Sequence, residues 1–141
     1  MSEELSETIK QRYRVVDDAI SMLVRVVGSE LEEIEADEEY CYALKGAIFF
    51  YIQGLLDIVN YIMVMRDLTP TNYGDIFEIL VGAKLIDEKY ADIVRNLIEI
   101  RNKLLFQYED LKIKELYSFI KDNKDIMVEL YHSILKLMRE I

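Results

Sequence analysis

Breaks in this chain are scarce. Its 141 residues include five glycines and one proline, whereas sheet-rich folds need turn residues at roughly every tenth position. The segments between breaks are therefore long, and their apolar residues recur every three or four positions. Leu5, Ile9, Tyr13, Val16, Ile20, Leu23, Val27, Leu31 and Ile34 form one such series. It predicts a first helix from about Glu3 to about Ala36, with Gly28 as a point of bending. A second helix is expected from about Glu39 to about Asp67. It is apolar on nearly every side, which marks it as the most buried element. The acidic run between Glu30 and Glu39 reads as a solvated end or turn.

The segment Leu68-Thr69-Pro70-Thr71-Asn72 stops the second helix, and Asn72 suits the N-cap of a short helix over 73–81 that Gly82 closes. Asp87 opens a fourth helix reaching about Tyr108, with Tyr90, Val94, Leu97, Ile98, Arg101, Leu104 and Leu105 on its inner side. Asp110 is placed to cap a segment over 111–121, and Asn123 and Asp125 separate it from a last helix ending at Ile141. The expected fold class is all-α, a single domain over residues 1–141 built as an antiparallel bundle of five or six helices. The two longest helices carry more apolar surface than one small bundle covers, so a helix-on-helix homodimer is expected.

Composition excludes several classes of function. Hydrophobic residues make up 52% and charged residues 31% of the chain, which fits a globular protein with one core. The formal net charge of −10 argues against general binding to a phosphate backbone, which needs a basic face. A single cysteine, Cys41, permits no internal disulfide and no cysteine zinc site. It reads as a small buried apolar residue, and a free thiol suits a reducing cytoplasm. The single histidine, His132, excludes His-rich metal sites and a two-histidine relay within one chain. No metal and no cofactor is implied. Met1–Lys10 is polar and acidic, unlike a signal peptide. Ala47–Met65 is apolar enough to raise the question of a membrane span. Gln53, Asp57 and Asn60 lie within it, and a mid-span Asp costs about 2.5–3.5 kcal/mol, so a buried core helix is expected and no membrane partner.

Two places interrupt the apolar pattern. Gln53, Asp57 and Asn60 step by four and three and share one helix face. They form either a stripe reaching water or another helix, or the wall of a polar cleft. Arg101 falls on the apolar side of its helix, between Ile98 and Leu105. A guanidinium keeps its charge and needs a carboxylate, a phosphate or water beside it. Asp57 is a candidate partner.

The segment Ile100-Arg101-Asn102-Lys103-Leu104-Leu105-Phe106-Gln107-Tyr108 resembles the signature of the HepT-like proteins. These are a branch of the HEPN superfamily of helical nucleotide- and RNA-associated domains. The signature is an Arg, usually followed by Asn, then a short spacer, a His, one further residue and a Tyr. Arg101 and Asn102 match the opening pair and Tyr108 the closing Tyr, while Phe106 occupies the His position. Phe50 to Tyr61 resembles the family's second helix, with its Asp and Asn retained as Asp57 and Asn60. Thr69-Pro70-Thr71-Asn72-Tyr73 followed by Ile76 to Leu80 resembles the next turn and short helix. The similarity covers about residues 43–140.

This resemblance implies a toxin of a two-gene toxin–antitoxin system. Many such toxins are metal-independent endoribonucleases that act as dimers, with the Arg and His of both subunits meeting in a cleft. It also implies a partner, a small nucleotidyltransferase antitoxin of the MntA type, which attaches AMP to the signature Tyr, here Tyr108. Phe106 departs from the pattern at the chemical centre. Metal-free RNA cleavage needs a group to take the 2′-OH proton and one to protonate the leaving oxygen, and imidazole suits both. Arg holds phosphate charge but is a poor acid or base. Three readings stand: a HepT-like component whose ribonuclease activity is weak or absent; an active endoribonuclease with Tyr108, Asp57 or a partner residue replacing the His; and a nucleotide-binding or interaction module without catalysis. His132 reads as a surface or helix-edge residue.

Overall fold

A helix that is apolar on almost every side has to be wrapped by others. The structure is a computed structural model describing residues 3–69 and 73–140. Among these residues are six α-helices: α1 Glu3–Val27, α2 Leu31–Glu35, α3 Glu38–Met65, α4 Tyr73–Gly82, α5 Ala91–Phe106 and α6 Ile113–Arg139. Short 3₁₀ turns at Glu88–Tyr90 and Tyr108–Asp110 flank α5. The wrapped helix is α3, which packs against each of the other five. Its Ile48, Tyr51, Ile58, Val59 and Ile62 are wholly buried. By length and composition α3 could cross a membrane, but 61% of its most apolar window is buried inside the bundle.

α1 packs against α3 at Gly54. A Cβ added there would lie 2.5 Å from Cγ2 of Val16, well inside van der Waals contact. Val16 is fully buried and β-branched, so it has no alternative rotamer to retreat into. This contact sets the antiparallel register of the two helices.

The first helix is shorter than the apolar series predicts. It ends at Val27, and the chain turns through Gly28 and Ser29 before α2. The carbonyl of Ser29, freed by the break, accepts a 2.8 Å hydrogen bond from the Tyr117 hydroxyl on α6. Ile34 of α2 is thereby folded fully into the core. The acidic run contributes the cap of α3, with the Asp37 carboxylate accepting from the Glu39 and Tyr40 amides at 2.9 and 3.3 Å. Cys41 is only partly buried, and its thiol lies 3.2 Å from the Ile34 carbonyl.

The ends of α3 and α4 share one device. Leu68 N donates to Met63 O at 2.8 Å and Leu85 N to Leu80 O at 2.9 Å. The preceding residues, Asp67 and Lys84, take left-handed φ values of 57° and 59°. Both are Schellman-type closures with a non-glycine residue in the glycine place, so Gly82 ends α4 without making the turn. The stop at Pro70 and the cap at Asn72 lie outside the described residues. The helix expected from Asp87 is α5, which is led in by a 3₁₀ turn capped by Asp87 and stops at Phe106, two residues short of Tyr108.

The expected break at Asn123 and Asp125 is absent, and α6 runs unbroken from Ile113 to Arg139. Its buried series steps from Ile120 to Met127 through Asn123, which holds the register. The Asn123 side chain donates to its own helix at Phe119 O, 2.8 Å away. Asp110 is not the cap either; Lys112 stands at the N-cap without a side-chain bond. The antiparallel expectation also needs amending. Tyr117 meets Ser29 and Tyr131 meets Tyr13, so α6 opposes α1 and runs in the same sense as α3. The α4–α5 passage carries the chain back.

Tyrosine hydroxyls brace these helices by reaching main-chain carbonyls across the bundle. Tyr51 on α3 donates to Met127 O at 2.7 Å. Burial pushes the Tyr51 phenol well above its ordinary value. Burial, joined by the Asp17 carboxylate, does the same for Tyr131, and burial raises Tyr13 to about 12 against an opposing Arg139.

Two outcomes are expected. Gly54→Ala should destabilise the protein by about 1–3 kcal/mol through overpacking. Gly46→Ala, where an added Cβ meets nothing within 4 Å, should gain about 0.5–1 kcal/mol from helix propensity. Equal unfolding midpoints for the two variants would refute the close approach. Alkaline pH should act through the tyrosines. Their folded pKa values lie above the unfolded value, so the stabilisation is complete below about pH 10 and is lost as pH rises through about 12. A urea midpoint unchanged between about pH 9 and about pH 11.5 would show that these phenols ionise without opposing the fold.

Candidate functional site

The polar residues on α3 and the arginine on α5 come together. Arg101 Nε donates to Gln53 Oε1 at 2.8 Å. The other end of that amide, Gln53 Nε2, donates to Asp57 Oδ1 at 2.9 Å. Asp57 Oδ2 in turn accepts from Arg12 Nε of α1, also at 2.9 Å. A single row of hydrogen bonds thus crosses three helices, from Arg101 through Gln53 and Asp57 to Arg12. Two guanidiniums and one carboxylate give the row a net positive charge within a protein of net charge −10.

The expected Arg101–Asp57 partnership is corrected here. The Nε of Arg101 meets Gln53, and the ion pair of Asp57 is with Arg12. Their side chains are 40% (Arg12) and 30% (Asp57) exposed, so the row lies at the surface and water reaches it. Within the Gln53–Asp57–Asn60 stripe, Gln53 reaches α5 and Asp57 reaches α1. Asn60, one turn beyond Asp57, is exposed.

Arg12 is the residue that sequence reasoning missed. The signal was available once helix pairing was known. Four residues back from Val16 on α1 and three forward from Gly54 on α3 bring Arg12 opposite Asp57 in an antiparallel pair.

The end of α5 presents the rest of the signature. Arg101 is half-buried and Asn102 exposed. Arg101 Nη1 lies 3.5 Å from Asn102 Oδ1, a long contact. Phe106 closes the helix with 75% of its surface exposed, and Tyr108 follows in the 3₁₀ turn at 66%. Leu105, expected on the inner side, is also exposed. The four residues at positions i, i+1, i+4 and i+5, Arg101, Asn102, Leu105 and Phe106, make one contiguous surface patch. His132 is exposed on α6, its ring centroid 6.0 Å from that of Tyr131. Among the described residues no group of three His, Cys, Asp or Glu is arranged to hold a metal ion.

An apolar groove of about 590 Å³ runs between α1 and α3, lined by Val15, Ala19, Met22, Tyr42, Gly46 and Phe50 among others. Tyr42 and Phe50 are 67% and 56% exposed. Phe50 precedes Gln53 by three residues and Asp57 by seven, so the groove leads along one face of α3 into the polar row.

The described residues thus form an all-helical bundle with Arg101, on its fifth helix, at one end of the row. A family model described as "Ribonuclease HepT-like" matches residues 16–134, and the chain belongs to that family. Among curated proteins it is similar to "Putative RNase YutE" of Bacillus subtilis (strain 168), 40% identical over 82 residues. That match covers 56% of this chain and 56% of the relative, little more than half of each. Among solved structures it resembles one described as a cytosolic protein of unknown function, YutE from Bacillus subtilis. The TM-score is 0.71, with 23% identity over 89% of each chain, and this likeness speaks to the fold.

The exposure of the Arg12–Asp57 pair decides its energetic weight. A double-mutant cycle with Arg12→Ala and Asp57→Asn should give a coupling of about 0.5–1 kcal/mol, the range of exposed pairs. It should shrink in about 1 M salt, where the screening length is roughly 3 Å. A salt-insensitive coupling of several kcal/mol would mean that the pair is sealed from water.

Proposed function

We propose that this chain is the HepT-like component of a two-gene toxin–antitoxin pair in which the ribonuclease fold is kept and its cleavage chemistry is weak or absent. One observation carries the reading. The residue that closes α5, five positions after Arg101, is an exposed phenylalanine. Cleavage without a metal moves a proton from the 2′-OH as that oxygen attacks phosphorus, and delivers a proton to the departing 5′-oxygen. A guanidinium held by Gln53 stabilises the phosphorane charge, but Phe106 moves no proton.

In this reading the protein is a cytoplasmic homodimer joined along the α1–α3 face, where exposed Tyr42 and Phe50 border the polar row. A monomer mass in sedimentation at micromolar concentration would refute that arrangement. The partner is a nucleotidyltransferase antitoxin of the MntA type, and Tyr108, exposed beside the patch, is the AMP acceptor. Adenylylation of Tyr108→Phe protein by the cognate transferase would defeat the assignment. Asn102, Asn60 and Gln53 then line the cleft rather than react.

A second reading, an active metal-independent endoribonuclease, is favoured by the family description and by the relative described as a putative RNase. The third, a nucleotide-binding or interaction module, has no observation of its own to favour it.

RNA cleavage in EDTA separates the first two. The native protein is expected to cut at least about 100-fold more slowly than Phe106→His, since a placed acid–base group contributes about 10²–10⁴-fold. Native cleavage at the rate of Phe106→His, abolished by Arg101→Ala, would establish the second reading instead.

A further inference from the structure

We propose that Phe106 is a stacking platform for a base of single-stranded RNA, with Arg101 holding the adjoining phosphate. This rests on the reading of the α5 end as the RNA site of a ribonuclease fold, and it goes on to assign that site a grip of its own.

The first observation is geometric. The Phe106 ring stands 75% exposed at a helix terminus, where no following turn of helix shields it. It belongs to the same i, i+1, i+4, i+5 patch as Arg101 and Asn102. Along the axis it lies about 7.5 Å from Arg101 at 1.5 Å per residue and about 140° further round the helix, with Asn102 and Leu105 on the surface between them. Tyr108 adds a second exposed ring just beyond it.

The second observation is electrostatic. The whole chain has 27 acidic and 17 basic residues. The segment 101–114 reverses that balance, with Arg101, Lys103, Lys112 and Lys114 against Glu109 and Asp110. Lys103 shares its charge with Glu99 at 3.9 Å, and Arg101 is steered by the neutral amide of Gln53. Exposed aromatic faces beside local positive charge are what single-stranded nucleic acid requires. Stacking gives sequence-tolerant affinity, and cations track the backbone. Substituting an aromatic ring for an acid–base group therefore turns a cutting position into a holding one.

The chain contains no tryptophan, so Phe106→Trp introduces a single indole at the position in question. The probe is a fluorescein-labelled single-stranded oligoadenylate of about ten nucleotides in EDTA at low salt, followed by anisotropy, with an unlabelled copy used for indole quenching. The expected results are saturable quenching of the indole, near-native affinity for Phe106→Trp, and at least about fivefold weaker binding for Phe106→Leu. Arg101→Ala should also bind more weakly, with a shallower salt dependence.

If Arg101→Ala loses affinity while Phe106→Leu binds like the native protein and the indole is unquenched, stacking is overturned and the RNA site stands. If neither native protein nor any variant binds the probe, the reading of the site itself fails and takes this inference with it. If the indole emission is already blue-shifted without RNA and changes with protein concentration, a protein surface covers the ring, which also overturns the proposal.

Discussion

The approach of α1 to α3 at Val16 and Gly54 is the constraint on which the rest of the site depends. Only a residue without a Cβ leaves room at this point for the Val16 side chain, and that stiff valine leaves little slack. Once that contact is made, the antiparallel register places Arg12 against Asp57. The carboxylate orients one end of the Gln53 amide, and the other end receives Arg101 from α5. A packing event in the core thereby aims a guanidinium on the far helix, with no direct contact between α1 and that arginine required.

What this row can do is set by the kinds of group it contains. Guanidiniums hold phosphate oxygens and stabilise charge that develops on them, but they exchange no proton at neutral pH. The amide of Gln53 transmits orientation. Beside them, at the end of α5, stand aromatic and aliphatic surfaces. The apolar groove bordered by Tyr42 and Phe50 leads into the same face of α3, so a body seated along the groove would lie against the row.

Much of the fold is legible in the sequence because it follows from periodicity. The apolar series of α1, the all-round apolarity of α3 and the shared face of Gln53, Asp57 and Asn60 are properties of neighbouring residues on one helix. The misreadings arise where distant residues decide. Gly28 looked like a bend, and became a break because Tyr117, 88 residues away, accepts the role of partner to the Ser29 carbonyl. Asn123 looked like a terminator, and its amide instead turned back on its own helix. Arg12 looked like an ordinary surface charge until helix pairing set it beside Asp57. Asp67 and Lys84 turn the chain in the left-handed region without glycine, against the local preference that glycine counting relies on. The signature at 101–108 was legible as a pattern, and its exposure was not, since Leu105 reads as inner by spacing alone.

The order in which helices leave the ribosome has a consequence for this architecture. When α3 emerges, α4, α5 and α6 have yet to be made. The Tyr51 side is closed by Met127 and its neighbours on α6, which are made more than seventy residues later. At about 5–20 residues per second, that interval lasts several seconds, during which the most apolar helix of the chain has one flank open. Closure of that flank must then wait for α6.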